Sequence, residues 1–204
     1  LVGASAGSFA AVFLACEVNA IHAYEAVVRL VQRERLLEKG PLALCGIWAA
    51  LIQEWMEELL PSNAADLCVS SCVHVAVLHS GQTLSSTRQQ NHHHRARFAG
   101  LFREELISGF DSKQDVIETC LASAHIPFFL DGRVVKSYRG RPAIDAYIAC
   151  ETPWHLVAPE ISSSRTLFAH HELDGELAAV LQSRSGSSLL MRTDQLEFVR
   201  ELIA

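Results

Sequence analysis

The clearest chemistry in the chain stands near its first residue, where Leu1-Val2 leads into Gly3-Ala4-Ser5-Ala6-Gly7. This pentapeptide fits G-x-S-x-G, the sharp strand-to-helix turn that lifts a serine hydroxyl out of a fold. A serine hydroxyl is a poor nucleophile until a base takes its proton and donors stabilise the oxyanion that forms on the attacked carbonyl. Gly3 and Gly7 would leave room for the turn and for close packing of helix on strand. The Ala6 N–H and the positive end of a helix beginning near Ser8 would face the developing charge. The pattern also recurs by chance, and its plain alternative is a small-residue turn before a helix.

Other constellations carry less. Cys68 and Cys72, followed by His74 and His79, have the residue types of a zinc site, but CVSSCVHVAVLH reads as a strand that would split those side chains between two faces. No metal is expected there. Asp131-Gly132 reads as a turn, and Asp111 and Asp115 as acids at a helix N-terminus. The 17 basic and 23 acidic residues leave a formal charge of −6, so nucleic acid is not an expected partner. The short basic stretch NHHHRAR, residues 91–97, reads as a solvated loop.

Length and composition bound the rest. A chain of 204 residues, half of them apolar and a fifth charged, suits one globular domain with a substantial core. Six cysteines scattered through apolar segments suggest a reducing compartment rather than a disulfide framework. LALCGIWAALI, residues 42–52, is the longest apolar run and falls short of the roughly 18 residues that a membrane span requires. The chain opens inside an apolar run without Met, and reads as a piece or a processed product.

The elements that would position these residues follow from periodicity. Residues 8–40 are rich in helix formers and predict one long helix or two, with Glu25 four residues before Arg29 and a stop at Gly40-Pro41. A second helical stretch spans 42–60 and ends at Pro61-Ser62. It places Trp48 and Trp55 on one face, for core packing or, alternatively, for a lipid surface. Residues 68–78 alternate as a strand with Val73, Val75 and Val77 pointing one way, and 80–97 read as a loop. A short strand is expected at 105–110, followed by a helix capped by Asp111 or Ser112. That helix carries Val116, Ile117, Cys120 and Leu121 on its apolar side and ends before Ile126-Pro127. Strands at 133–138 and 142–148 follow, then a loop-rich segment and a helix at 193–203. Helices alternating with strands imply an α/β fold.

A second block strengthens the serine reading: FDSKQDVIETCLASAHIPFFLDGRVVKSYRGRPAIDAYIA, residues 110–149. With GASAGSFAA and LLPSNAADL, it closely resembles the patatin-like phospholipase family, in the branch that contains adipose triglyceride lipase and adiponutrin. The matching features are the SK-x-D-x-I helix, ASAHIPFF, the YRG turn and the Ile-Asp after it, in the right order over roughly residues 1–150. The resemblance implies a three-layer α/β/α sandwich of the cytosolic phospholipase A2 type, incomplete at its N-terminus, with 151–204 as an extension of the same domain. It implies a Ser-Asp dyad in which Ser5 is the nucleophile and Asp145, matching the aspartate of the family's D-G-[GA] motif, is the general base and acid.

Such an enzyme would cleave carboxylic esters of acylglycerols or phospholipids through an acyl-enzyme. It would need no calcium or other cofactor, and would work inside the cell, in the cytoplasm or at the periphery of a membrane or lipid droplet. The family's glycine-rich oxyanion loop would lie upstream of Leu1. Ala146-Tyr147 stands where the family has glycine and a small residue; were a positive φ required there, Ala146 would strain the turn by roughly 1–2 kcal/mol. Two alternatives stay open. One is a silent patatin-like domain that binds lipid or a protein partner. The other is a Ser-Asp-His hydrolase using His155, His170 or His171.

Overall fold

In the computed structural model, which describes residues 1–39, 43–80 and 102–148, a three-residue strand β1 (Val2–Ala4) runs directly into helix α1 (Ala6–Ala15). Of the one helix or two expected over 8–40, the structure has two and a further turn, with the first break after α1. Glu17 takes a positive φ of 53°, and the Asn19 side chain accepts the N–H groups of Ile21 at 2.9 Å and His22 at 3.2 Å, capping α2 (Ala20–Arg33). A single turn α3 (Leu36–Lys39) follows. Helix α4 (Trp48–Leu59) is shorter than the expected 42–60, and stops where Leu60 turns extended before Pro61. Arg29 does not rely on Glu25; it reaches Glu58 of α4, and Arg33 pairs with Glu54 beside it.

The largest departure from expectation is at Cys68. It lies in helix α5 (Ala64–Ser70), and strand β2 (His74–Ser80) begins only after a turn in which Cys72 has φ 51°. Residues 64–70 bury Ala64, Ala65 and Cys68 on one side of a helix, whereas the period of two starts at Val73. The split-strand argument against zinc therefore falls, because Cys68 is on a helix in the core and Cys72 is exposed. Among the described residues, no group of three or more His, Cys, Asp or Glu is arranged to hold a metal ion.

Beyond β2 come β3 (Phe102–Ile107), α6 (Lys113–Ser123), β4 (Lys136–Tyr138), β5 (Arg141–Ile144) and a 3-10 turn, Ala146–Ile148. The strand expected at 105–110 sits three residues earlier. Ser112 caps α6 by accepting the Asp115 N–H at 3.1 Å, and Val116, Ile117, Cys120 and Leu121 are buried. Of the two late strands, the first keeps only its C-terminal half and the second ends at Ile144, which releases Asp145 from the sheet.

The fold is mixed α/β with an open, mixed five-stranded sheet. Strand β2 is its axis. One edge pairs antiparallel with β3, and the other is shared by two strands that approach end to end. Strand β1 runs parallel to β2 and finishes with Ala4 opposite Ala76; β5 runs antiparallel and finishes with Ile144 opposite Leu78. Only the level of Val77 separates their ends. Val75, Val77, Val12, Met56, Ile117 and Leu121 belong to one core in which α1, α4, α5 and α6 meet the sheet.

Among the described residues no helix is long and apolar enough to cross a membrane, and the five cysteines there are free. The chain divides into two units, Leu1–Ala149 and Cys150–Ala204. Expectations for Gly40-Pro41, for 81–97 with its basic stretch, for Cys150, for His155, His170 and His171, and for the helix at 193–203 lie outside the described residues.

Candidate active site

The converging ends of β1 and β5 deliver Ser5 and Asp145 to one point. Ser5 follows Ala4 and takes φ 51°, ψ −126°, a backbone state costly for any side chain. That turn carries the chain from strand to helix in one residue. It is possible because position 3 is glycine: a Cβ there would lie 2.3 Å from the Gly7 carbonyl oxygen and 2.7 Å from the Ser8 Cα. Gly7 is different, since its own Cβ position is open, so the steric demand for glycine falls on Gly3.

Although Ser5 is the N-cap of α1, its side chain does not cap the helix. Its Oγ donates to Asp145 Oδ2 at 2.7 Å, across 140 residues of sequence. The Ser8 hydroxyl, donating to the Ser5 carbonyl at 2.6 Å, stiffens the turn instead. Ala6 and Gly7 are exposed at the first turn of α1, where helix N–H groups lack an internal acceptor and present a partial positive charge.

Asp145 is 2% exposed. Burial pushes its carboxyl up to about 6, against the opposing pull of hydrogen bonds from the Ser5 hydroxyl and the Tyr147 N–H, the latter 2.7 Å from Oδ1. Both oxygens are thus occupied, one of them by the candidate nucleophile itself. Ala146 begins the 3-10 turn and is absent from the residues with positive φ. A right-handed turn suits any L-residue, so the strain expected at Ala146 does not arise.

Two residues of the ASAHIPFF segment complete the arrangement, and neither was singled out by sequence reasoning. The Ser123 Oγ accepts the Ser5 N–H at 2.9 Å, and the His125 carbonyl accepts the Asp145 N–H at 2.8 Å. The end of α6 therefore holds both halves of the pair. The only available signal was their place inside the segment that carries the family resemblance. The His125 ring is buried, with Nε2 3.3 Å from the Arg133 carbonyl, and burial holds its pKa below the ordinary histidine value. His79, the distant histidine of the zinc pattern, is buried in β2 and stacked on Tyr138 at 5.7 Å.

A cavity of about 500 Å³ opens on Ser5. Phe9 and Phe13 of α1, Val27 and Leu30 of α2, and Trp48 and Trp55 of α4 are part of its apolar wall, and Ser5 is the one hydroxyl among the described lining residues. The Trp55 indole donates to the Ala23 carbonyl at 2.9 Å and meets Phe13 edge-on at 4.8 Å. The Trp48 and Trp55 face thus lines the cavity, with both residues half-buried. Asp131-Gly132 forms a turn, with Asp131 Oδ1 accepting the Arg133 N–H at 2.9 Å and Gly132 at φ 77°. No family model, curated protein or solved structure matches the chain.

Proposed function

We propose that the chain is a serine acyl hydrolase of the patatin type, cleaving carboxylic esters of acylglycerols or phospholipids. On this reading its sheet and helices belong to that family's three-layer sandwich. The observation that carries the proposal is the 2.7 Å bond from Ser5 Oγ, on a strained elbow, to the buried Asp145 carboxylate. A triad would place an imidazole between these groups. Here the serine donates directly to the acid, as a dyad requires.

The ionised Asp145 takes the Ser5 proton as Oγ attacks the ester carbonyl, and the oxyanion forms beside the Ala6 and Gly7 N–H groups. The proton passes to the leaving alcohol oxygen, which leaves the acyl group esterified to Ser5. Asp145 then deprotonates a water that attacks this ester, and returns the proton to Oγ. A carboxyl near 6 is basic enough to accept a proton and acidic enough to be ionised at neutral pH. The apolar cavity at Ser5 suits a hydrocarbon chain.

Fluorophosphonate labelling tests the proposal. The full-length protein should be labelled, Ser5→Ala should not be, and Asp145→Asn should react at least a hundredfold more slowly. Label retained in Ser5→Ala would overturn the nucleophile assignment. A folded full-length protein that takes no label would favour the silent lipid-binding domain.

A further inference from the structure

The loop that walls one side of the cavity also turns apolar side chains outward. Ile126 and Leu130 face the cavity, while between them Phe128 is 49% exposed, and Val134 a few residues on is 45% exposed. A bond from the Phe128 N–H to the Arg133 carbonyl, 2.7 Å long, closes the loop and brings Phe128 within one residue of Val134 across it. Ile47, 36% exposed, joins from a neighbouring turn. There the Gly46 N–H reaches the Phe129 carbonyl and the Ala49 N–H the Leu130 carbonyl, each at 2.9 Å. Its neighbour Trp48 again lines the cavity.

Phe128 has φ 63°. An aromatic residue in the left-handed region is strained, and an exposed one gains little from packing that would offset the strain. Folding alone would be better served by glycine or asparagine at this position. The exposed Arg133 lies between the two outward apolar residues in sequence, where a cation can meet phosphate.

We propose that Phe128, Val134 and Ile47 form the surface by which this chain seats on a phospholipid aggregate, with Arg133 at its headgroup level. A few side chains fall well short of the roughly 1,000 Å² that a stable interface with a second copy needs. A lipid surface demands no shape complementarity, and exposed aromatic and aliphatic groups beside a cation partition into it. The same loop lines the cavity through Ile126 and Leu130, so an aggregate held at Phe128 would lie beside the cavity wall. This inference rests on the hydrolase reading for its purpose, but not for its test.

The test is flotation of the chain with phosphatidylcholine vesicles, with and without phosphatidylglycerol, alongside fluorophosphonate labelling without lipid. The chain should float, more strongly with phosphatidylglycerol. Phe128→Asp combined with Val134→Asp should lower binding about tenfold or more, while far-UV circular dichroism and labelling stay unchanged. Phe128→Gly should weaken binding and leave the melting temperature equal or higher, an effect that damage to the fold could not mimic. Failure of the unaltered chain to float, or equal flotation of the variants, would overturn the proposal. So would a dimer that Phe128→Asp dissolves, which would assign the face to a second copy. Flotation lost in the variants of a chain that never takes label would support this surface and sink the hydrolase reading; label without flotation would do the reverse.

Discussion

Asp145 ties the chemistry to the stability of the fold. Its carboxyl is raised to about 6 mainly by burial, so the folded protein holds a proton that the unfolded chain releases nearer pH 4. Stability contributed by the neutral carboxyl is present below about pH 4 and is lost as pH rises through about 6. Asp145→Asn should therefore stabilise the protein above pH 6, by up to about 3 kcal/mol less what one amide oxygen fails to accept, and should do little at pH 4. Urea unfolding of both proteins at pH 4 and pH 8 measures this; a difference independent of pH would contradict the raised carboxyl. In the proposed mechanism catalysis would have the opposite sign, because Asp145 would have to be ionised to act as base. For a soluble ester, kcat/KM should rise with pH to a plateau above about 6, and a profile flat between pH 5 and 7 would remove Asp145 from the role of base. Sequence alone pointed to Ser5 through its glycines and to Asp145 through resemblance. It was silent on Ser123 and His125, because a hydroxyl and a carbonyl that accept backbone N–H groups leave no pattern of their own.

The elements show which motif residues are structural. In the SK-x-D segment, Ser112 caps α6 and Lys113 Nζ donates to the carbonyls of Glu57 at 2.6 Å and Leu60 at 2.5 Å, satisfying the end of α4. Asp115 pairs with Arg139 of the YRG turn at 2.5 Å, and Arg139 also donates to the Gly109 carbonyl at 2.8 Å. These bonds lock α6, whose far end holds the candidate dyad, to α4 and to the β4–β5 turn. Lys113→Met keeps the apolar stem and loses the ammonium, and should cost about 1–2 kcal/mol in urea unfolding; no loss would mean that water serves those carbonyls equally well. Helix α6 was readable because cap, acidic first turn and apolar stripe agree. The boundary at Cys68 was not. Valines on both sides of Cys72 mimic one alternating run, while the turn that separates helix from strand depends on a positive φ at Cys72, which cysteine does not advertise.

At the scale of the whole molecule, the cavity decides what can approach Ser5. Among the described residues its wall is built from helices α1 to α4 and the loop after α6, so its depth is a property of their packing. Val27→Phe should fill part of it and lower turnover of p-nitrophenyl octanoate about tenfold, leaving the acetate within a factor of two, since only the longer chain needs that space. Equal losses on both esters would place the acyl chain elsewhere. The tryptophans on α4 were rightly paired on one face by their spacing of seven, but spacing cannot say what a face meets. Trp55 finds its partner in the Ala23 carbonyl of α2, a contact that no spacing within α4 announces.

The sequence by itself determined the features that rest on local physics. The elbow at Gly3–Gly7, the capped helix α6, the helix stop before Pro61 and the turn at Asp131-Gly132 each depend on a few adjacent residues and their allowed dihedral angles. Only the tertiary structure decided that Ser5 meets Asp145. Strands β1 and β5 pair with the same edge of β2 from opposite directions, and their ends stop with only the level of Val77 between them. Strand register is a long-range property, set by which edges pair once the core closes, and no local spacing encodes it.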